Sequence, residues 1–160
     1  MADFSHLACD GSAQMVDVGE KRSTSREAVA VGHVQLPRRL LPLLSEAALR
    51  EIASVARVAG IQAMKRTAEL VPMCHSLVLD HSSVEVLLDP NASSFSIKST
   101  ARAHGKTGVE MECLVATSIA AATVYDMIKA QAPEAVLGPF SVQSKLGGKL
   151  GPWHNPGLLS

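Results

Sequence analysis

Residues 113–125 form the longest stretch of the chain without a charged side chain, and most of its thirteen residues are apolar. The surrounding pattern predicts a helix that runs to about Gln131 and stops before Pro133. Thr107 and Glu110 have the spacing of a capping box at its start. Such a helix must be covered on all sides, by a sheet and by another subunit. The run is shorter than the ~20 residues that cross a bilayer, so we expect no membrane span.

The remaining elements are predicted from periodicity. A second long helix is predicted over residues 45–70, where apolar residues recur at three- and four-residue steps before Pro72. Strand patterns cover residues 28–36, 82–89, 95–103 and 136–144. The resulting order predicts an α+β fold, a ferredoxin-like βαββαβ sandwich with an antiparallel sheet and two long helices. Pro139 favours an edge position for the last strand.

The chain length of 160 residues is that of one domain. Residues 1–27 are polar and rich in Ser and Gly, which is typical of a mobile N-terminal arm. Residues 28–151 are predicted to form the single ferredoxin-like domain, and residues 152–160 a C-terminal tail.

The composition argues against several classes of partner. Fifteen Lys plus Arg balance fifteen Asp plus Glu, and only five residues are aromatic. The chain therefore has neither the basic surface nor the stacking platform that nucleic acids require, and we expect no membrane partner. Three widely spaced cysteines suit reduced thiols, and no signal peptide pattern is present, so we expect a cytoplasmic protein. Neither a CxxC nor an HExxH motif occurs, so we predict no metal site.

Two candidate sites lie at predicted helix ends. Met73, Cys74 and His75 follow Pro72, and a loop histidine beside a thiol can act as an acid, a base or a substrate clamp. A histidine with ordinary loop hydrogen bonds gives the same pattern. Glu112, in the first turn of the helix that runs to about Gln131, is either a solvated charge favoured by the helix dipole or a site residue. The residues alone leave both questions open.

Asp126 and Lys129 form the third candidate, at the other end of the same helix. Their i,i+3 spacing lets them share a face and shift each other's pKa, as a proton-transfer pair requires. The alternative is an exposed ion pair worth about 0–1 kcal/mol.

The fourth candidate is the segment of residues 145–151, which contains Lys145, Gly147, Gly148 and Lys149. Glycines allow a close approach of the backbone to a ligand, and the two lysines would attract phosphates. A flexible tail has the same composition. The Walker A pattern GxxxxGK[ST] is absent.

These segments together resemble the cyclic pyranopterin monophosphate synthase family, the C protein of molybdenum cofactor biosynthesis. The matching strings are residues 15–18, 56–67, 70–75, 105–112, 124–130 and 145–149. Each string alone is weakly specific, but six in family order over roughly residues 14–151 are highly specific.

The resemblance implies a lyase that converts a cyclic dihydro-GTP intermediate, 3',8-cyclo-7,8-dihydro-GTP, to cyclic pyranopterin monophosphate with release of pyrophosphate. It implies dimers assembled into a hexamer, with the active site at a subunit interface. No cofactor is implied, and Mg²⁺ on the substrate triphosphate is left open. Asp126 and Lys129 match the family's catalytic pair. The positions that match its substrate-binding residues are Met73, Cys74, His75, Met111, Glu112 and Lys145.

The chain departs from the family at Leu49, where the family has an active-site lysine. Arg50 is the adjacent cation, but one step on a helix is about 100° of rotation. Gly151-Pro152-Trp153 also stands where the family has Gly-Asp-aromatic. Either Arg50 replaces the lysine through a local shift, or activity is weak or lost. The alternative to an enzyme is a non-catalytic oligomeric paralogue that binds a nucleotide, a pterin or only a partner subunit.

Overall fold

The computed structural model describes residues 5–148 and 151–158. The strands are β1 (Thr24–Gln35), β2 (His81–Asp89), β3 (Ser94–Gly105), β4 (Val136–Leu146) and β5 (Trp153–His154). The helices are α1 (Glu46–Met64), α2 (Thr67–Leu70) and α3 (Glu110–Ile128), and two short 3-10 helices span Arg38–Leu43 and Pro156–Leu158.

The five strands form one antiparallel sheet in the order β2-β3-β1-β4-β5. The helix α3 packs on the central strands, and α1 packs on β2 and against α3. The first strand thus lies inside the sheet with a partner on either side, as the βαββαβ order requires. The predicted α+β, ferredoxin-like fold with two long helices is confirmed.

The alternation of side chains along β1 explains where the core lies. Ala28, Ala30 and Val34 are buried towards the helices, whereas His33 and Gln35 on the opposite face are exposed. Small residues also bring the helices together. A Cβ atom added at Gly60 of α1 would lie only 2.9 Å from the Ala116 carbonyl oxygen of α3. The two helices therefore cross at near backbone contact.

One side of α3 remains uncovered in the single chain. Eight of its residues are buried, but Met111, Ile119 and Met127 are exposed. The sheet and α1 cover only part of the surface of α3, whereas the sequence predicts that this helix is covered on all sides. Length and composition alone would also let α3 cross a membrane, a test that buried core helices pass as well.

The predicted capping box at the start of α3 is wrong. The residue at the N-cap position is Val109, and no side chain caps the helix. Glu110 instead pairs with Lys145 of β4 at 3.1 Å. A side chain at position 108 would collide with the Glu110 carboxylate, so Gly108 provides the space for this alternative.

Other element ends differ from the prediction for local reasons. Strand β1 begins at Thr24, inside the predicted arm, because Thr24 pairs with Gly105 of β3. The long helix ends at Met64, and the Thr67 hydroxyl donates a hydrogen bond to the Met64 carbonyl where the short α2 begins.

The last full strand is an edge only in part. On the side away from β1, β5 pairs with Ser144 and Lys145, while the segment of β4 that contains Pro139 has no ladder partner among the described residues. Strand β5 lies inside the predicted C-terminal tail. This segment of the tail is therefore part of the sheet.

Candidate active site

A cavity of about 1140 Å³ opens where β1 begins, β3 and β4 end and α3 begins. The strands run antiparallel, so the register brings the start of β1 beside the last residues of both neighbours. Thr24 pairs with Gly105, and Glu27 pairs with Leu146. The loop after α2 and residues 16–22 of the N-terminal arm complete the wall.

The cavity unites the predicted substrate-binding residues, which are separated by up to 72 positions in the sequence. All six line it: Met73, Cys74, His75, Met111, Glu112 and Lys145. Asp126 and Lys129 are not among its lining residues. Within one chain, the cavity therefore contains the predicted substrate-binding residues but not the predicted catalytic pair.

Glu112 is the most buried carboxylate of the cavity, with 4% of its surface exposed. Burial raises the pKa of this carboxyl, and the charge of the neighbouring Glu110 adds to the effect. The pKa of the nearby Cys74 thiol is also raised, by burial first and then by the charges of Glu112 and Glu110. Both groups therefore hold their proton to a higher pH than they would in water, which suits groups that take part in proton transfer.

Lys145 forms an ion pair with Glu110 in this cavity. Its Nζ atom lies 3.1 Å from Oε1 of Glu110, and both side chains are partly buried. The chain then turns through Gly147 and Gly148, which have φ values of +96° and +80°. Side chains at these two positions would collide with the Ser25 carbonyl and the Arg26 guanidinium. The two glycines therefore let this turn close against β1.

Sequence reasoning missed much of the charge in this cavity. The cations of the lining are Lys21, Arg22, Arg26, Lys106 and Lys145, and the carboxylates are Asp17, Glu20, Glu27, Glu110 and Glu112. Most of them come from residues 1–27, whose composition predicts a mobile arm. The Lys106 ammonium donates a 2.6 Å hydrogen bond to the Gly19 carbonyl and ties the arm to the loop before α3. The matching string at residues 15–18 was the only available signal that the arm belongs to the site.

Arg26 presents an unpaired donor at the cavity wall. Its Nε atom is buried and has no hydrogen-bond partner among the described residues. A buried guanidinium N–H without a partner is costly.

Asp126 and Lys129 lie at the opposite end of α3. The Lys129 ammonium donates a 2.6 Å hydrogen bond to Asp126, and this bond raises the pKa of Lys129. More than half of each side chain is exposed to solvent. Within one chain the pair has the geometry of an exposed ion pair.

The structure also shows what replaces the expected lysine at position 49. Leu49 packs against the hydrophobic core, as a partly buried residue. The Arg50 guanidinium lies 3.3 Å from the Glu46 carboxylate, one turn earlier on α1. Arg50 therefore runs along the outer surface of its own helix and does not occupy the place of Leu49.

No three His, Cys, Asp or Glu side chains of the described residues come together as a metal site would require. The fold and the cavity define a ferredoxin-like α+β protein with an acid–base pocket that five cations of the described residues also line. Residues 15–148 match the model of the MoaC family. The chain belongs to this family.

Relatives of nearly the same length share close to half of the sequence, and each is named cyclic pyranopterin monophosphate synthase. The protein from Chloroflexus aurantiacus is 47% identical over 156 residues, covering 96% of both chains. That from Desulfatibacillum aliphaticivorans is 45% identical and covers 98% of this chain and 100% of its own. The protein from Brucella ovis is 44% identical, and the match covers 98% of this chain and 97% of the relative.

Proposed function

We propose that this chain is a cyclic pyranopterin monophosphate synthase, a lyase of molybdenum cofactor biosynthesis. It converts 3',8-cyclo-7,8-dihydro-GTP to cyclic pyranopterin monophosphate and releases pyrophosphate. The observation that carries the proposal is the single cavity in which all six predicted substrate-binding side chains meet. Membership of the MoaC family and the names of three relatives support the same reaction.

The cavity suits a nucleoside triphosphate in size and charge. Its volume of about 1140 Å³ is slightly above the roughly 300–1,000 Å³ of most ligand pockets, so it has room for a ligand of this size. Lys21, Arg26, Lys106 and Lys145 supply cations for the phosphates, and guanidinium and ammonium groups both bind phosphate strongly. Burial raises the pKa of the Glu112 carboxyl, so the site opposes the ionisation of this acid.

The proposed chemistry requires both proton transfer and departure of pyrophosphate. Opening a guanine-derived ring and closing a pterin involve several proton transfers, for which His75 and the buried Glu112 are suitable acids or bases. The cyclic phosphate forms when a sugar hydroxyl bonds to the α-phosphorus and the bond to pyrophosphate breaks. Fixed cations such as Lys145 stabilise the charge that develops on the leaving group.

The catalytic pair, Asp126 and Lys129, reaches this chemistry from a second subunit. Two α3 helices running antiparallel across a two-fold axis bring Asp126 of one chain near Glu112 of the other. The uncovered side of α3, with Ile119 at its middle, then meets the same side of its partner. We expect such dimers to assemble further into a hexamer.

The other requirements of the reaction are simple. Rearrangement with loss of pyrophosphate needs no external oxidant or reductant, so we propose that no cofactor takes part. Mg²⁺ would enter on the substrate triphosphate. The balanced charge of the chain favours a small-molecule substrate over nucleic acid or a membrane surface, and we expect the protein in the cytoplasm.

A turnover assay with the cyclic intermediate tests the proposal. We expect the wild-type protein to form pterin product and pyrophosphate in equal amounts. Asp126→Asn, which keeps the volume but removes the base, should stop both while the circular dichroism spectrum stays unchanged. Glu85→Gln, at an exposed carboxylate on β2, is the control and should retain turnover. Tight binding of the intermediate without turnover by the wild type would instead favour the non-catalytic paralogue.

A further inference from the structure

The Lys145 ammonium is held from two sides. Its Nζ atom lies 3.1 Å from Oε1 of Glu110 and 5.7 Å from the centre of the Trp153 ring. Lys145 and Trp153 are also directly paired residues of β4 and β5. The ion pair faces the cavity, whereas Trp153 is not among the residues that line it. The aromatic ring is therefore a support for the lysine from outside the cavity.

We propose that Trp153 is a positioning residue that holds the Lys145 ammonium ready for the polyphosphate end of the substrate. The C-terminal strand β5 is then part of the active site through this ring. The inference rests on the proposed function, since it takes the triphosphate as the ligand of Lys145.

The contact with the ring leaves the lysine free to change partners. A lysine has a flexible four-carbon stem and three N–H donors. An ammonium within about 6 Å of an aromatic centroid is attracted to the face of the ring without using up a hydrogen-bond donor. Lys145 can therefore leave Glu110 for a phosphate oxygen while the ring limits where its ammonium can lie.

The backbone of β5 is fixed independently of the Trp153 side chain. The Asn155 N–H donates to the Gln143 carbonyl at 2.9 Å, and the Asn155 side-chain amide donates to the Val142 carbonyl at 3.1 Å. We expect a variant at Trp153 to keep this strand in place. His154, the other residue of β5, points to the opposite face by strand alternation and supplies a matched control.

Trp153 is the single tryptophan of the chain, so its fluorescence reports directly on this contact. We expect titration of the wild-type protein with inorganic tripolyphosphate to change the emission saturably. Lys145→Met should abolish the change. Lys98→Met, at an exposed lysine of β3, should keep it. An unchanged emission on saturation with tripolyphosphate, or a response that survives in Lys145→Met, would overturn the proposal.

A double-mutant cycle separates positioning from a general structural role. By calorimetry, Trp153→Leu should weaken tripolyphosphate binding about two- to fivefold, the range expected for an exposed cation–π contact. Trp153→Phe should recover part of the loss, and His154→Leu should cause none. In the Lys145→Met background, Trp153→Leu should have no further effect. Equal losses in both backgrounds would mean that Trp153 does not act through Lys145.

Turnover distinguishes this inference from the proposed function. Trp153→Leu should raise KM for the cyclic intermediate and leave kcat nearly unchanged. If the wild type fails to turn over but the binding cycle shows the coupling, only the proposed function is wrong. If the wild type turns over and the coupling is absent, only the role of Trp153 is wrong.

Discussion

Glu112 and Asp126 lie at opposite ends of α3, fourteen residues apart on one helix. That separation is about 21 Å along the axis at 1.5 Å per residue, and fourteen residues are close to four turns. Glu112 lines the cavity, whereas Asp126 is exposed beyond its reach. A ligand the size of a nucleotide cannot bring both groups to one reaction centre within a single chain.

If the active site is shared between two chains, mixing two inactive variants should restore activity. Glu112→Ala and Asp126→Asn chains should each be inactive alone. In a mixed dimer, one of the two sites carries both changes and the other carries neither. Mixing the two variants under conditions of subunit exchange should therefore restore part of the turnover.

The control for mixing is the formation of hybrid oligomers, measured by native mass spectrometry. Hybrids that form but stay inactive would show that the antiparallel arrangement of the two α3 helices is wrong. Mixing Glu112→Ala with a second change in the same cavity, His75→Ala, should give no recovery, because every site then lacks one of the two groups.

The environment of Leu49 and Arg50 predicts how substitutions at these two positions change turnover. Because Arg50 pairs with Glu46 on the outer surface of α1, Arg50→Ala should leave kcat within about twofold of the wild type. Leu49→Lys restores an ammonium at the family's position and should increase turnover. The substitution removes a partly buried apolar side chain, so we expect it to lower the free energy of unfolding by about 1–2 kcal/mol. A large loss of kcat in Arg50→Ala would show that Arg50 replaces the family lysine after all.

The fold was predictable because it follows from periodicity. The alternation of Ala28, Ala30 and Val34 on one face of β1 is a signal that any strand burying one face must carry. The helix start was misjudged because a capping box is only a spacing rule. Thr107 and Glu110 satisfy that rule, but a partner for Glu110 on β4, 35 residues later, forms the ion pair that is observed.

The candidate site was only half visible for a related reason. His75 and Glu112 stand out beside a helix end and an apolar run. Arg26 and Lys106 are ordinary surface cations in the sequence, and only the register between β1 and its neighbours brings them to the same cavity. The sequence places Trp153 in a tail, because the two residues of β5 are too few to give a strand pattern.

Gly60 predicts the effect of overpacking where α1 crosses α3. A methyl group at this position would lie 2.9 Å from the Ala116 carbonyl oxygen and 3.3 Å from the Ala120 Cβ atom. Alanine favours a helix over glycine by about 1 kcal/mol, but overpacking costs roughly 1–3 kcal/mol. The clash should prevail, because a backbone carbonyl moves only if α3 moves.

Gly60→Ala should therefore unfold at a lower denaturant concentration than the wild type. Gln62→Ala, at an exposed position of the same helix, is the matched control and should change stability by less than about 0.5 kcal/mol. A Gly60→Ala variant as stable as the wild type would mean that the helices cross at a greater distance.

The buried carboxyl of Glu112 predicts how stability depends on pH. Its pKa is raised in the folded chain, chiefly by burial. Below the ordinary value of 4.5 the group is neutral in both the folded and the unfolded chain, so it has no effect on stability. As the pH rises, the unfolded chain releases this proton first, and the folded chain loses stability relative to it.

Glu112→Gln removes this loss of stability. Its melting temperature should match that of the wild type near pH 4, exceed it increasingly as the pH rises from there, and stay above it by a constant amount once Glu112 is ionised in the folded chain as well, by about 2–4 °C for each kcal/mol gained. Glu85→Gln measures the effect of losing an exposed carboxylate, and the protein concentration is held constant because oligomers melt in a concentration-dependent way. A difference between Glu112→Gln and the wild type that is constant with pH would show that the Glu112 carboxyl ionises as readily in the folded chain as in the unfolded one.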